Sequence, residues 1–255
     1  MVYLCVLWFF MMMIGSYEPG IHRLIKYHMK TYTFETNQEL QEAVHLWCIN
    51  RPLALKKYGH IRDWDVSLIT DMNYLFTNVN KLGLPAFNDD NIVFFDNFND
   101  DISRWDVSSV TNMESMFWTV YEFNQPIGDW DVSNVENMNF MFSGTKAFNQ
   151  PIGNWDVSSV TKMNGLFFGA IEFNQPIGKW NVSNVVSMER MFVNATKFNQ
   201  HIGKWDVSNV IHMKRMFERA VTFNQYINWT LHQDNVSTNV FDGASSLELK
   251  NLRLK

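Results

Sequence analysis

The stretch Phe148-Asn149-Gln150-Pro151-Ile152-Gly153-Asn154-Trp155-Asp156-Val157-Ser158 decides how this chain is read, because it returns along the sequence with few changes. Trp105, Trp130, Trp155, Trp180 and Trp205 follow one another at intervals of 25 residues. Phe98, Phe123, Phe148, Phe173, Phe198 and Phe223 keep the same interval. Aligned on both rulers, the unit is F-N-Q-P-I-G-x-W-D-V-S-x-V-x-x-M-x-x-M-F-x-x-A-x-x. One such unit cannot bury its apolar positions alone, so neighbours must stack, each touching only the next.

Working outward, Ile61, Trp64, Asp65, Val66, Ser67, Met72 and Phe76 match the unit, but the next Trp stands 41 residues beyond Trp64, which places an insertion of 16 within Asn80–Asn97. Downstream, Trp229, Phe241 and Ala244 fit after a one-residue deletion, giving seven units with the first and last degenerate. The Phe, Ile, Trp, Val, Met and second Phe of each unit are expected to face inward. The Ser/Asn-rich steps near the second Val suit a short extended segment, and M-x-x-M-F-x-x-A has the i, i+3, i+4 spacing of one helical turn. The fold expected is therefore a repeat solenoid of short parallel β-strands with helical turns, leucine-rich-repeat-like, capped by an N-terminal α-helical segment.

For that cap, Thr36-Asn37-Gln38-Glu39 reads as a capping box, followed at helical spacing by Leu40, Ala43, Val44 and Trp47. Arg51-Pro52 breaks this helix, and Leu53–Tyr58 makes a second, ended by Gly59. The expected organisation is an apolar N-terminal segment at 1–28, a helical cap at 29–59, repeats over 60–247 with an insertion near 80–97, and a tail at 248–255.

The string W-D-V-S-N-V-x-x-M-x-x-M-F-x-x-A, running from about Tyr58 to Leu247, resembles the BspA-type leucine-rich repeat of mycoplasma and other bacterial surface proteins and of large DNA viruses. The resemblance implies a solenoid, a role in binding or adhesion, and no catalytic residues. Ala170, Ala195 and Ala220 stand where bacterial members often carry Cys, which weakens an extracellular reading.

Composition narrows the classes further. The 255 residues are 46% hydrophobic and 15% aromatic, and their 18% of charged residues lies below the roughly 25% of an average chain, which excludes disorder. A formal charge of −5 argues against nucleic acid. Cys5 and Cys48 allow one disulfide at most. Val2–Ile14 is an uncharged apolar run of 13, short of the ~20 residues a spanning helix needs but of signal-core length. The basic residues that should precede a signal core are absent, Met29 offers another start, and a folded extension is a third reading. Starting at Met29 implies an intracellular protein. Use of residues 2–14 as signal or anchor implies a secreted or membrane-associated one.

Candidate chemistry is mostly structural on inspection. The Asp after each Trp (Asp65, Asp106, Asp131, Asp156, Asp206) is Asn181 once, which suits a turn former better than a cation site or an acid–base pair. Asn124, Asn149, Asn174, Asn199 and Asn224, each followed by Gln, make amide ladders. The acidic insertion, Asn88-Asp89-Asp90-Asn91 and Asp96–Asp101, lacks calcium-loop spacing, and the histidines form no ligand set. No catalytic site, cofactor, metal or small-molecule substrate is expected, and no nucleophile or nucleotide motif occurs.

A partner's identity can be written only at the variable positions. Trp118 follows the M-F pair in its unit, Phe140 precedes it in the next, and Phe168 repeats the place of Trp118 in the one after. If these positions are exposed, the three aromatics form an apolar patch for a protein partner; alternatively, the insertion folds over them. Variable charges run from Glu114, Glu122, Asp129 and Glu136 to Lys179, Arg190, Lys197, Lys204, Lys214, Arg215 and Arg219, either as a steering dipole or as a mixed solvated surface. The function expected is a non-enzymatic protein-interaction scaffold, with a secreted or membrane-tethered surface adhesin as the alternative.

Overall fold

In the computed structural model, residues 31–77, 95–231, 240–241 and 253–254 are described. The run Val2–Ile14, Met29, the insertion from 80 to 94, Ala244 and all of the tail but 253–254 lie outside the described residues. Met1–Thr31 is one unit and Tyr32–Lys255 another, and everything below concerns the second.

Two helices open this unit. In α1 (Asn37–Ile49) the Thr36 Oγ1 accepts the Glu39 N–H at 3.2 Å, and the Glu39 carboxylate reaches back to the Glu35 N–H at 3.2 Å. Leu40, Ala43, Val44 and Trp47 form its buried stripe. The second helix, α2 (Arg51–Tyr58), starts two residues before the expected Leu53, because Asn50 caps it and Pro52 sits in the first turn, where a missing N–H costs nothing. The helices reach the repeats through Asp100, which accepts from Trp47 Nε1 at 2.9 Å and pairs with Arg51 at 2.5 Å.

The expected solenoid of short parallel strands and helical turns, leucine-rich-repeat-like, is overturned by the backbone: among the described residues from 98 to 229 there is neither a strand nor a helix. Parallel pairing is reduced to isolated bridges, one between Thr33 and Asp65 and a single row running Asp71, Asn112, Asn137, Lys162, Ser187, His212. The only strands among the described residues, β1 (Thr230–Leu231) and β2 (Arg253–Leu254), pair in parallel after the last Trp.

Turn chemistry is the reason. In one repeat, Trp155 N–H donates to Ile152 O at 3.2 Å, Val160 N–H to Val157 O at 3.0 Å and Ala170 N–H to Phe167 O at 3.1 Å, so the chain bends every few residues. Over Met163–Ala170 a helix would send the Phe167 N–H back to Met163. Instead the N–H groups of Met163, Gly165, Phe167 and Gly169 cross to Ser187, Glu189, Met191 and Val193 of the next repeat at 2.7–2.9 Å. Gly165 and Gly169 take positive φ, +56° and +66°, which ends any helix. In the Phe-Asn-Gln stretch side chains replace a backbone ladder: Asn174 N–H donates to Asn149 Oδ1 at 2.9 Å and Gln175 Nε2 to Asn149 O at 2.8 Å.

Consecutive repeats therefore stack in register as layers of turns. The Phe142 and Phe167 rings lie 5.9 Å apart at 2°, and Phe167 meets Phe173 at 3.8 Å. Each buried ring contributes about 1.5–3 kcal/mol. Trp155 is 4% exposed and donates its Nε1–H to Ile127 O of the preceding repeat at 3.2 Å, and Trp130, Trp180, Trp205 and Trp229 do the same one repeat along. The unit's Gly is fixed by close approach, since a Cβ on Gly153 would stand 2.3 Å from Pro176 O.

Candidate functional site

The residues flanking the M-F pair form two adjacent columns. The column before the pair reads Tyr74, Ser115, Phe140, Gly165, Arg190, and the column after it Thr77, Trp118, Ser143, Phe168, Val193. Over the first four repeats residue size alternates between them, a large residue in one column standing beside a small one in the other.

The backbone makes this arrangement rigid. Tyr74, Ser115, Phe140, Gly165 and Arg190 all have φ between +54° and +56°. For the non-glycine members this is a costly conformation, sustained because their N–H groups bond the next repeat, as from Phe140 to Asn164 O at 2.7 Å. The Phe140 ring extends onto Gly165, where an added Cβ would meet its Cδ1 and Cε1 at 2.3 Å.

Trp118, Phe140 and Phe168 are each half-buried, and they line one shallow groove of about 420 Å³ together with Tyr74, Glu114 and Arg190. Ser115 and Ser143, 3% and 4% exposed, form its floor. Glu114 accepts from Asn137 Nδ2 at 2.9 Å and from Tyr74 OH at 3.4 Å, whereas Arg190 is exposed and pairs with no described acid. The groove thus offers an aromatic wall, a fixed carboxylate and a guanidinium without an acidic partner among the described residues.

The structure brings the three aromatics of the sequence reading together and adds Tyr74, Glu114 and Arg190, which that reading did not connect with them. The size alternation was the available signal, because a stacked fold needs large beside small across facing positions.

The model of the family described as "Mycoplasma protein of unknown function, DUF285" matches residues 31–159 and 148–252. The chain belongs to this family. No curated protein and no solved structure matches it. Assignment to DUF285 fixes a mycoplasma-type family and carries no activity with it.

Elsewhere on this DUF285 chain the polar ladders are self-satisfied. Asp131 Oδ1 accepts Ser133 N–H at 3.0 Å and Ser133 Oγ–H at 2.6 Å, and Asn181 makes the same pair of bonds to Ser183 at 3.2 and 2.8 Å. The Ser133 hydroxyl, then its N–H, hold the Asp131 carboxyl below the usual carboxylate range, and Ser158 does so for Asp156. Among the described residues no group of three or more His, Cys, Asp or Glu could hold a metal. Cys48 is a free thiol whose pKa is pushed up to about 12, first by burial and then by the charge of Asp100. No helix among the described residues is long and apolar enough to cross a membrane.

Proposed function

We propose that this DUF285 chain is a non-enzymatic scaffold that binds a protein partner through the Trp118–Phe140–Phe168 groove. The observation that carries the reading is the convergence of three half-buried aromatics on one groove beside Arg190, which pairs with no acid among the described residues. Aromatic and Arg side chains are the commonest interface anchors, and a rigid wall loses little entropy on binding. The partner segment that fits is short, with an apolar side chain for the groove and a carboxylate for Arg190. The finer likeness to BspA-type repeats supports a binding role, and the apolar run at 2–14 supports an adhesin variant of it in which the same groove faces outward.

Selection of a random peptide library on the full chain tests this. Peptides pairing an apolar or aromatic residue with a nearby acid are expected, with affinity lost in W118A/F140A/F168A. Peptides that bind that triple variant as tightly as the parent overturn the reading.

A further inference from the structure

A second groove, of about 930 Å³, shares no lining residue with the first. Its lining includes a row of rings, one per repeat: the pyrrolidines of Pro151 and Pro176, the imidazole of His201 and the phenol of Tyr226. His201 and Tyr226 replace the Pro of the unit, and Tyr226 is 59% exposed. The lining also carries Asn154, Lys179 and Lys204, at the variable position before each Trp.

The lining contains cations and neutral groups but no carboxylate. Lys179 and Lys204 are exposed, and neither makes an ion pair or a side-chain hydrogen bond with any described residue. In the repeat of Lys179 the Asp that follows Trp elsewhere is Asn181, which keeps the turn bonds to Ser183 without the charge. That exchange leaves the turn intact and removes one negative charge two residues along the chain from Lys179. The side-chain amides of Asn154 and Asn228 are also unpaired among the described residues.

Half of the ring row cannot donate a main-chain hydrogen bond to a peptide strand, and its carbonyls are turned onto the stack. Pro151 and Pro176 have no N–H, and the carbonyls of Pro151, Pro176, His201 and Tyr226 sit so close to the glycines of the preceding repeat that a Cβ there would stand 2.1–2.4 Å away. The lining instead offers an occupant ring faces, side-chain amides and ammonium groups. Sugar rings supply apolar C–H faces and hydroxyls, and their acidic substituents recur along a chain as the lysines do along the stack.

We infer that this groove binds a linear anionic glycan, carrying uronate or sulfate groups, with its sugar rings on the row that ends at Tyr226 and its acidic groups on Lys179 and Lys204. Calorimetry on the full chain tests it with a sulfated glycosaminoglycan oligosaccharide, an oligouronate, a neutral oligosaccharide of the same length and polyglutamate of matched charge. Binding of either anionic glycan is expected, with the two arms telling sulfate from carboxylate and the neutral sugar and polyglutamate much weaker. K179Q/K204Q should weaken it about tenfold with an unchanged thermal midpoint, and Y226A should weaken it without changing its salt dependence. Polyglutamate binding as tightly as the glycans, glycan binding that survives the lysine or tyrosine changes, or binding of neither glycan overturns the inference.

Discussion

The Phe140 ring rests on the Cα of Gly165, 25 residues further along the chain, in the space that a Cβ at 165 would occupy. This contact ties a groove residue of one repeat to the backbone of the next, so groove shape and repeat stacking are coupled. Gly165→Ala should cost about 1–3 kcal/mol, from displacing the ring and from a side chain at φ +56°. In an F140A background the same change should cost only the backbone part, about 1 kcal/mol. A urea-denaturation double-mutant cycle measures the difference, and additive costs would deny the contact.

Trp155 and Asp156 are neighbours with opposite energetic roles. Trp155→Ala removes a buried ring and its bond to Ile127 O, and should cost about 3–5 kcal/mol. Asp156→Asn keeps an oxygen for Ser158, as Asn181 does for Ser183, and should cost under ~0.5 kcal/mol. Thermal midpoints of the two variants give the comparison.

Acid should loosen the stack through the same aspartates. Asp65, Asp101, Asp131 and Asp156 are held below the usual carboxylate range, in each case first by the hydroxyl of the Ser two residues on. Unfolded, these groups titrate near ~4, so the unfolded chain takes up protons first as the pH falls. Their stabilisation is full above that pH and is lost as the pH falls through the lower folded values. The D131N/D156N variant should show a shallower fall of thermal midpoint with acidification than the parent; an identical slope would mean the two carboxylates contribute nothing.

The period alone makes the core legible: the Phe, Ile, Trp, Val and Met columns are buried because a stack leaves them no other place. Backbone conformation was not legible, since M-x-x-M-F-x-x-A fits a helical turn and a run of three-residue turns equally well. What separates them is the left-handed φ of Ser115, Phe140 and Arg190, residue types that give no hint of it. Likewise Trp118, Phe140 and Phe168 stood out as aromatics at variable positions, whereas Tyr74 and Arg190 joined them only once the columns were set side by side.

The claim that the aromatic groove receives a protein partner is tested most directly by photo-crosslinking. A peptide selected on the full chain is given a photoreactive group in place of its apolar anchor, irradiated in complex, and the adducts are mapped by mass spectrometry. Adducts at Trp118, Phe140, Phe168 or their groove neighbours Tyr74 and Arg190, and their loss in W118A/F140A/F168A, are the result expected. Adducts confined to any other face of the stack, or undiminished in that variant, would contradict it.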